Sequence, residues 1–420
     1  MKQYKVLLVC VMLFLPVLSH GIIIDLGGSL ENTSELSGAE TSEATFFQQD
    51  KVSAWLEMEL NNYLRLAVEG SYTFDSERPI LFDLDHLSLY GEGQLSFSVG
   101  RFEFSDFTGL VLSHTLDGGR IKLYLPLFTA SVSVGFSGLM QRPVSTIIMS
   151  RSDVFDQLDE NIFFAPPRLV EMAEIHFPEL FLRQDLVVTV LLQQDLRAQD
   201  TFVAGGETLS SQYFGVGVSG PLIPALYHSL YFYLGTGGYQ DGSIFSFLTG
   251  GGLRLYLDHL LYSIIEVNGM FASGDAGLSE FNEGRASGTS GLFTPISQPF
   301  FGLAFSPQAG NIWLVNLSYS LKPFSNVGSR ILENLQTSLE WYLYFRSTTG
   351  VISEGGIDPD SDELYLGIEV DGRIGFRPFS DLGTALLFGM FIPNSGASSP
   401  FIAGSRGVRY LVRLELSVSF

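Results

Sequence analysis

The chain has 420 residues, with 45 acidic against 23 basic side chains and a formal net charge of −22. That balance excludes a nucleic-acid partner, because a phosphate backbone demands a basic footprint. Hydrophobic residues make up 46% of the chain and the mean hydropathy is +0.25. No apolar run reaches the roughly 20 residues of a spanning helix, so apolar and polar residues are interleaved rather than segregated.

The N-terminus reads as an export signal. Lys2 and Lys5 form a short basic region, Val6 to Val17 an apolar run, and Val17-Leu18-Ser19 or Ser19-His20-Gly21 a small-residue cleavage site. Residues 1–20 are assigned to a cleaved signal and 21–420 to a single domain. Cys10, the only cysteine, lies inside the apolar run behind Val9, which is too large for a lipoprotein cleavage site. The mature chain then has no disulfide, and its stability must come from backbone ladders.

Segments of barrel-strand length follow, each roughly 9–13 residues. They are 63–74, 94–104, 119–125, 129–137, 253–257 with 260–272, 311–321, 335–346, 363–377 and 381–393. In 129–137, Thr129, Ser131, Ser133, Gly135 and Ser137 alternate with Ala130, Val132, Val134 and Phe136, so one face is polar and the other apolar. The last segment alternates without a break: Tyr410, Val412, Leu414, Leu416, Val418 and Phe420 share one face, Arg413, Glu415, Ser417 and Ser419 the other. An apolar face toward lipid and a polar face toward a wet interior define a transmembrane barrel. Tyr410 with the terminal Phe420 resembles the C-terminal signal by which barrel-assembly machinery recognises its clients, which implies a bacterial outer membrane.

The connections alternate short and long. Asn61-Asn62, Gly91-Glu92-Gly93, Leu257-Asp258-His259 and Arg377-Pro378-Phe379-Ser380 read as tight turns, and 29–49, 105–118, 138–167, 273–310, 347–362 and 394–407 as outer loops. With both termini on the periplasmic side the strand count is even. Placing 299–305 within a loop gives about 18 antiparallel strands, with 16 as the other even count. The fold class is thus all-β.

Three stretches resemble the alginate-export family of outer-membrane porins. One is Val99-Gly100-Arg101 followed by Leu116-Asp117-Gly118-Gly119-Arg120-Ile121. Another is Phe271-Ala272-Ser273-Gly274-Asp275 followed by Gly291-Leu292-Phe293-Thr294-Pro295, and the third is Asn311 opening a strand after Phe301-Gly302. The resemblance implies an 18-stranded monomeric barrel. Phe102 departs from the glutamine that usually follows Gly-Arg in that family, and the net acidity departs from the strongly basic lumen that alginate requires.

Strand phase points Arg65, Arg120, Lys122, Arg254, Lys322, Arg346, Arg373, Arg377 and Arg413 inward, and Arg101 with them if a bulge at Gly100 re-phases its strand. The inward acids are Glu69, Glu103, Glu266, Glu340, Glu363, Glu369, Asp371 and Glu415. Either these groups neutralise one another in pairs, or the cations near both chain ends form a basic arc that, facing acids, sets a transverse field across a pore. Inward Tyr227, Tyr231, Tyr233, Tyr256, Tyr342, Tyr344 and Tyr365 suit either sugar stacking or wall filling. Outward Trp313, Tyr319, Trp341, Phe345 and Phe420 suit an interfacial girdle. The loop 138–167 is either an inward plug or a surface loop. Ser113, His114 and Asp117 are the one local cluster with hydrolase chemistry, without a nucleophile elbow. Asp358, Asp360 and Asp362 mimic a calcium loop, but Glu363 stands where glycine is needed.

The expectation is a non-enzymatic porin passing small hydrophilic solutes, sugars or oligosaccharide acids among them, with no cofactor and no metal. The other reading is a closed barrel whose outer loops bind partners. Lipid, the assembly machinery and the solute are the expected partners, and the barrel is expected to be a monomer.

Overall fold

The computed structural model describes residues 23–40, 42–76, 81–197, 208–239, 241–285, 287–297 and 299–420. The export signal lies outside the described residues. The wall is built in chain order from β1 (Ile23–Ala39), β2 (Thr45–Asn61), β3 (Leu64–Asp75), β4 (Leu81–Gly91), β5 (Leu95–Ser105), β6 (Ser113–Tyr124) and β7 (Thr129–Phe136). It continues with β8 (Arg168–Phe181), β9 (Gln184–Asp195), β10 (Leu209–Ile223), β11 (Leu226–Tyr239), β12 (Gly242–Leu257) and β13 (Ser263–Ala272). The two-residue β14 (Thr289–Ser290) sits in a loop and pairs in parallel with β12. The wall resumes with β15 (Ile312–Leu321), β16 (Leu335–Arg346), β17 (Tyr365–Phe379), β18 (Leu382–Pro393) and β19 (Arg409–Ser419).

Every wall strand is antiparallel to the next, and β19 pairs with β1 from Ser29↔Ser419 to Ala39↔Arg409, which closes an 18-stranded barrel. Closure removes both sheet edges, the condition for a sheet to stand in lipid. Alternation fixes the faces. On β7, Val132 and Val134 are exposed on the outside while Ser131 and Ser133 are buried inside. Leu95, Phe97, Val99, Ile121, Phe232, Trp313, Trp341, Leu343, Phe388 and Leu414 continue the exposed apolar belt.

The start of β1 and the end of β19 lie at the short-turn end, where the Gly28 and Phe420 amides each donate to the other's carbonyl at 2.9 and 3.0 Å. Two expected loops are wall instead. Residues 29–49 form most of a hairpin whose strands run to Ala39 and from Thr45, and 113–118 belong to β6. The segment 299–305 is a loop with one isolated bridge, Phe300↔Gln308, as its exclusion from the strand count requires.

At the long-loop end, α1 (Arg151–Leu158) begins with a capping box on Ser150 and Asp153. Asp153 pairs with fully buried Arg168 at 2.6 Å and with Arg197 at 2.8 Å, and Arg197 also pairs with Asp156 and Asp195. Arg168, Asp153 and Asp195 are fully buried and pair with one another and with Arg197, whose contact with Asp156 lies at the partly exposed edge, and together they pin the 137–167 loop to the rim.

Candidate functional site: a strapped lumen

The inward faces of the strands leave a charged interior, and the long loops turn into it. Asp106, just past β5, accepts from the amides of Thr108, Val111 and Leu112 at 2.9, 3.0 and 2.7 Å, which folds 106–112 into a compact turn. Tyr233 on β11 donates to the same carboxylate at 2.5 Å and stacks on Phe107, so the turn is tied across to β11. The Ile296 amide donates to Val111 O at 2.8 Å and the Ser113 amide to Ser297 Oγ at 2.7 Å, joining this turn to the 273–311 loop.

The other end of that loop docks on β17. Glu369, fully buried, accepts from the amides of Leu303, Ala304 and Phe305 at 2.8, 2.6 and 3.1 Å. Asp371 receives a second bond from Leu303 N at 3.1 Å, and the Tyr344 hydroxyl donates to Phe301 O at 3.0 Å. Gly302 has φ +90°, and a Cβ there would lie 2.5 Å from Tyr344 Oη and 2.7 Å from Glu369 Oε2, so only glycine permits the approach. Phe305 then stacks on Phe391 at 4.1 Å. A continuous strap therefore crosses the lumen from β17 to β11. Phe104, Leu112, Ile147, Met149, Phe293 and Phe305 pack around it in a buried apolar core inside the barrel.

The entry and exit of the strap loop are anchored by the serine-glycine-aspartate run. Ser273 Oγ accepts from Phe247 N at 2.9 Å and donates to Gly291 O at 2.7 Å. Gly274 leaves room for Asn311, whose Oδ1 a Cβ would meet at 2.0 Å. Asp275 pairs with Arg285 at 2.5 Å. Burial pushes the Asp275 carboxyl up, but bonds from Arg285, the Gly277 amide and Ser290, with the Arg285 charge, hold it at about 2.

Below the strap the interior opens. A cavity of about 730 Å³ is lined by Glu31, Thr33, Gln336, Arg373, Arg377 and Glu415. One of about 190 Å³, lined by Leu303, Glu340, Tyr342, Asp371 and Arg373, continues it upward to the strap. Across the barrel, about 540 Å³ lies among Arg183, Asp185, Tyr227, Tyr256, Arg254 and Glu266, and about 350 Å³ among Tyr90, Glu92, Ser98, Arg120 and Lys122.

The structure sorts the sequence-derived residues into three groups. Arg373, Arg377, Arg413, Arg65 and Lys122 lie on the lumen side, most beside acids: Arg413 pairs with Glu35 at 2.7 Å, Arg373 with Glu415 at 3.8 Å and Arg65 with Glu59 at 3.3 Å. The arc is thus basic and acidic by turns rather than uniformly basic. Arg120 lies over Phe102 and Phe104 at 5.1 and 5.3 Å and donates to Ser133 Oγ. Glu69 faces Trp55 and His86 across the strands, and Glu340 accepts from Tyr342 Oη at 2.5 Å.

The second group is held in loop and strap contacts, with Asp371 also on the wall of the cavity below the strap. Arg346, 1% exposed, donates to the carbonyls of Gly350, Asp358, Ser361 and Glu363 and so ties the 347–364 loop. Glu369 and Asp371 serve the strap.

The third group takes the other face. The register of β5 with both neighbours runs through Gly100 without a shift, so Phe102 and Phe104 keep the lumen side with Ser96 and Ser98. Arg101 and Glu103 stay in phase with Val99. Arg101 is buried in the wall, bonded to Asp117 at 2.9 and 2.7 Å and to Leu84 O and Leu139 O, with Asp83 at 3.7 Å. The cause is that β4 pairs with β5 only from Leu87 to Gly91 and then diverges, leaving a wedge that the arginine fills. Gly100, at φ +128°, lets Leu87 O approach to where a Cβ would stand 2.0 Å away, and a Cβ at Gly118 would stand 2.0 Å from Val134 O. Ser113 and Asp117 lie on the outer face of β6 and His114 on the lumen face, so they do not converge.

No family model matches the chain, and no curated protein matches its sequence. Solved structures do share its fold. Pseudomonas aeruginosa OccK5 (OpdH) superposes with a TM-score of 0.59 at 13% identity, over 94% of this chain and 98% of that one. Pseudomonas aeruginosa OccK2 (OpdF) in complex with glucuronate gives 0.59 at 12% identity, over 96% and 99%. The Pseudomonas aeruginosa outer membrane protein opdK gives 0.59 at 11% identity, over 94% and 98%. The fold is that of 18-stranded outer-membrane porins.

Proposed function

We propose that the chain is an integral outer-membrane channel that passes small hydrophilic solutes by diffusion, without enzymatic activity. The observation that carries this reading is a closed barrel whose hydrated, charged half leads up to a strap held by dedicated side chains. A protein needing only a filled barrel has no use for exposed Arg373 and Arg377 beneath the strap. The long-loop end faces outward and the short turns face the periplasm, after export directed by residues 1–20 and insertion of the 21–420 domain by the assembly machinery. Each barrel encloses its own pore, so one chain is a complete channel.

The solutes we assign are sugars or sugar acids. OccK2, of similar fold, was solved with glucuronate. Here cations at Arg373, Arg377 and Lys122 would meet a carboxylate, while Glu340, Tyr342 and Glu415 would meet hydroxyls. The alginate-like resemblance supports an acidic-saccharide substrate through its two anchoring motifs, whereas the alternation of acids with bases favours short solutes over a polyanion.

A second reading, a closed surface barrel, is favoured by the apolar core around the strap. Single-channel conductance of the refolded protein in a planar bilayer under a salt gradient separates the two. Discrete open steps, with swelling of protein-loaded liposomes in glucuronate or glucose, are expected. A folded but silent barrel would leave the surface reading standing.

A further inference from the structure

The sequence points seven tyrosines inward, and the structure engages five of them. Tyr233 donates to Asp106, Tyr344 to Phe301 O and Tyr342 to Glu340, while Tyr231 packs against the apolar core and Tyr365 on Phe345. Tyr227 on β11 and Tyr256 on β12 serve neither the strap nor the core. Tyr227 stands opposite Arg254 in the ladder, and Tyr256 lies two residues further along the same face of β12. Their rings meet edge to face, with centroids 5.6 Å apart and planes at 85°. Tyr227 is 40% exposed, and both rings line the cavity of about 540 Å³ at the short-turn end. A tyrosine that only fills a wall is covered by its neighbours, whereas this pair presents aromatic surface to open lumen.

The polar groups around the pair are held in place. Arg254 Nε and Nη2 bond to Glu266 at 2.9 and 3.1 Å, and Arg254 Nη1 lies 3.5 Å from Tyr256 Oη. The Asn268 amide lies beside them in a space that Gly252 leaves clear, since a Cβ there would stand 2.0 Å from Asn268 Oδ1. Nearer the turn, Asp185 accepts from Glu179 N at 2.8 Å and lies 3.6 Å from His176 Nε2. The cavity thus sets Arg183 and Arg254 against Glu179, Asp185 and Glu266, a near balance with the excess on the acidic side. Such a lining offers both donors and acceptors to a hydroxyl, which is itself both, and no net attraction to a carboxylate. The cavity of about 730 Å³ across the barrel holds Arg373 and Arg377 and, among the described residues, no tyrosine.

We propose that the cavity beside Tyr227 and Tyr256 is a binding subsite for an uncharged sugar ring. The C–H face of the ring lies on the two tyrosines, and its hydroxyls meet the Arg254–Glu266 pair and the Asn268 amide. Aromatic surface beside a few convergent polar groups, in a cavity of this volume, is the ordinary make-up of a small-molecule site. The inference rests on the reading of the chain as a channel for sugars, and it adds the place where such a solute pauses before leaving at the short-turn end. Sugar acids and neutral sugars then favour different walls of one lumen, the first beside Arg373 and Arg377, the second beside the tyrosines.

The test is block of the single-channel ion current of the full mature protein by glucose and, separately, by glucuronate, which carries a carboxylate on the same ring. Glucose is expected to interrupt the wild-type current in a saturable way. Tyr227→Ala combined with Tyr256→Ala should raise the half-blocking glucose concentration about tenfold and change that for glucuronate less. Tyr227→Phe combined with Tyr256→Phe keeps both ring faces and should be blocked like the wild type, which separates stacking from damage to the wall. A conducting wild type that glucose does not block, or an alanine pair blocked at the wild-type concentration, would overturn the subsite and leave the channel standing. A silent wild-type barrel would remove the channel reading instead. Saturation-transfer NMR of glucose with the folded wild type and the alanine pair in detergent would then decide the subsite alone, binding lost in the alanine pair supporting it and no wild-type binding overturning it.

Discussion

Glu369→Ala tests whether β17 holds the strap across the lumen. The carboxylate receives three backbone amides, and in the variant Leu303 N keeps Asp371 while Ala304 N and Phe305 N lose their acceptor. A buried donor left unpaired costs roughly 1–3 kcal/mol, so docking weakens by about 2–6 kcal/mol. Removing a buried carboxylate also recovers its desolvation cost, which favours the lower end of that range. At about 2 kcal/mol the undocked population rises roughly 30-fold, given a tenfold change for every 1.4 kcal/mol. The assay is single-channel recording, with circular dichroism and heat-modifiable migration confirming a folded barrel. The variant should show larger or noisier open levels as the strap leaves the wall. A folded variant with the parent's conductance and noise would refute the assignment of Glu369 as the strap's anchor.

Gly302→Ala should give the same noisy channel, because the added carbon collides with Tyr344 and Glu369 at a backbone angle that alanine avoids. Arg346→Met should leave the wall folded but open the 347–364 loop to limited proteolysis, since four carbonyls lose one donor group. Glutamine at Arg373, Arg377 and Arg413 together should move the reversal potential toward cation preference, and an unmoved potential would remove these side chains from the conducting path. The Asp275 anchor has a folded pKa near 2, below the unfolded carboxyl at about 3.9. Its contribution is therefore complete above about pH 4 and is lost as the pH falls through about 2. Opening of 273–311 should begin to rise below about pH 4 and be largely complete near pH 2, read as pepsin cleavage normalised to an unfolded substrate at each pH.

Alternation made most of the wall legible, and β16 and β7 sit almost where the residues place them. The β1–β2 hairpin was not legible, because Asn32, Ser34, Gln48 and Asp50 break the apolar face that marks a strand. At β6, His114 and the Gly118-Gly119 pair look like loop chemistry, although β5 continues its ladder through them. Phase also says which way a side chain points but not what covers it. Arg346 points inward as its phase requires, yet loop carbonyls bury it. Arg101 depends on where β4 parts from β5, which no local pattern encodes. The strap was hidden for a related reason. Asp106 meets Tyr233, and Leu303 meets Glu369, across long stretches of sequence, and neither contact leaves a periodic trace. Tyrosines 233 and 344 were legible as inward groups, but their anchoring roles depend on loops whose path only the structure gives.

The seam between β1 and β19 sets the order in which this molecule can be made. Gly28 bonds to Phe420 at the end of β19, so the first strand of the wall has its final partner only when β19 is in place. Until then two unpaired edges exist at once, each a template for aggregation and neither tolerable in hydrocarbon. Closure is the longest-range pairing among the described residues and, of the ladder contacts, the one with the largest loop-closure cost. Insertion and closure must then be a single late event, and a chain stalled before β19 should be a substrate for degradation rather than a smaller pore.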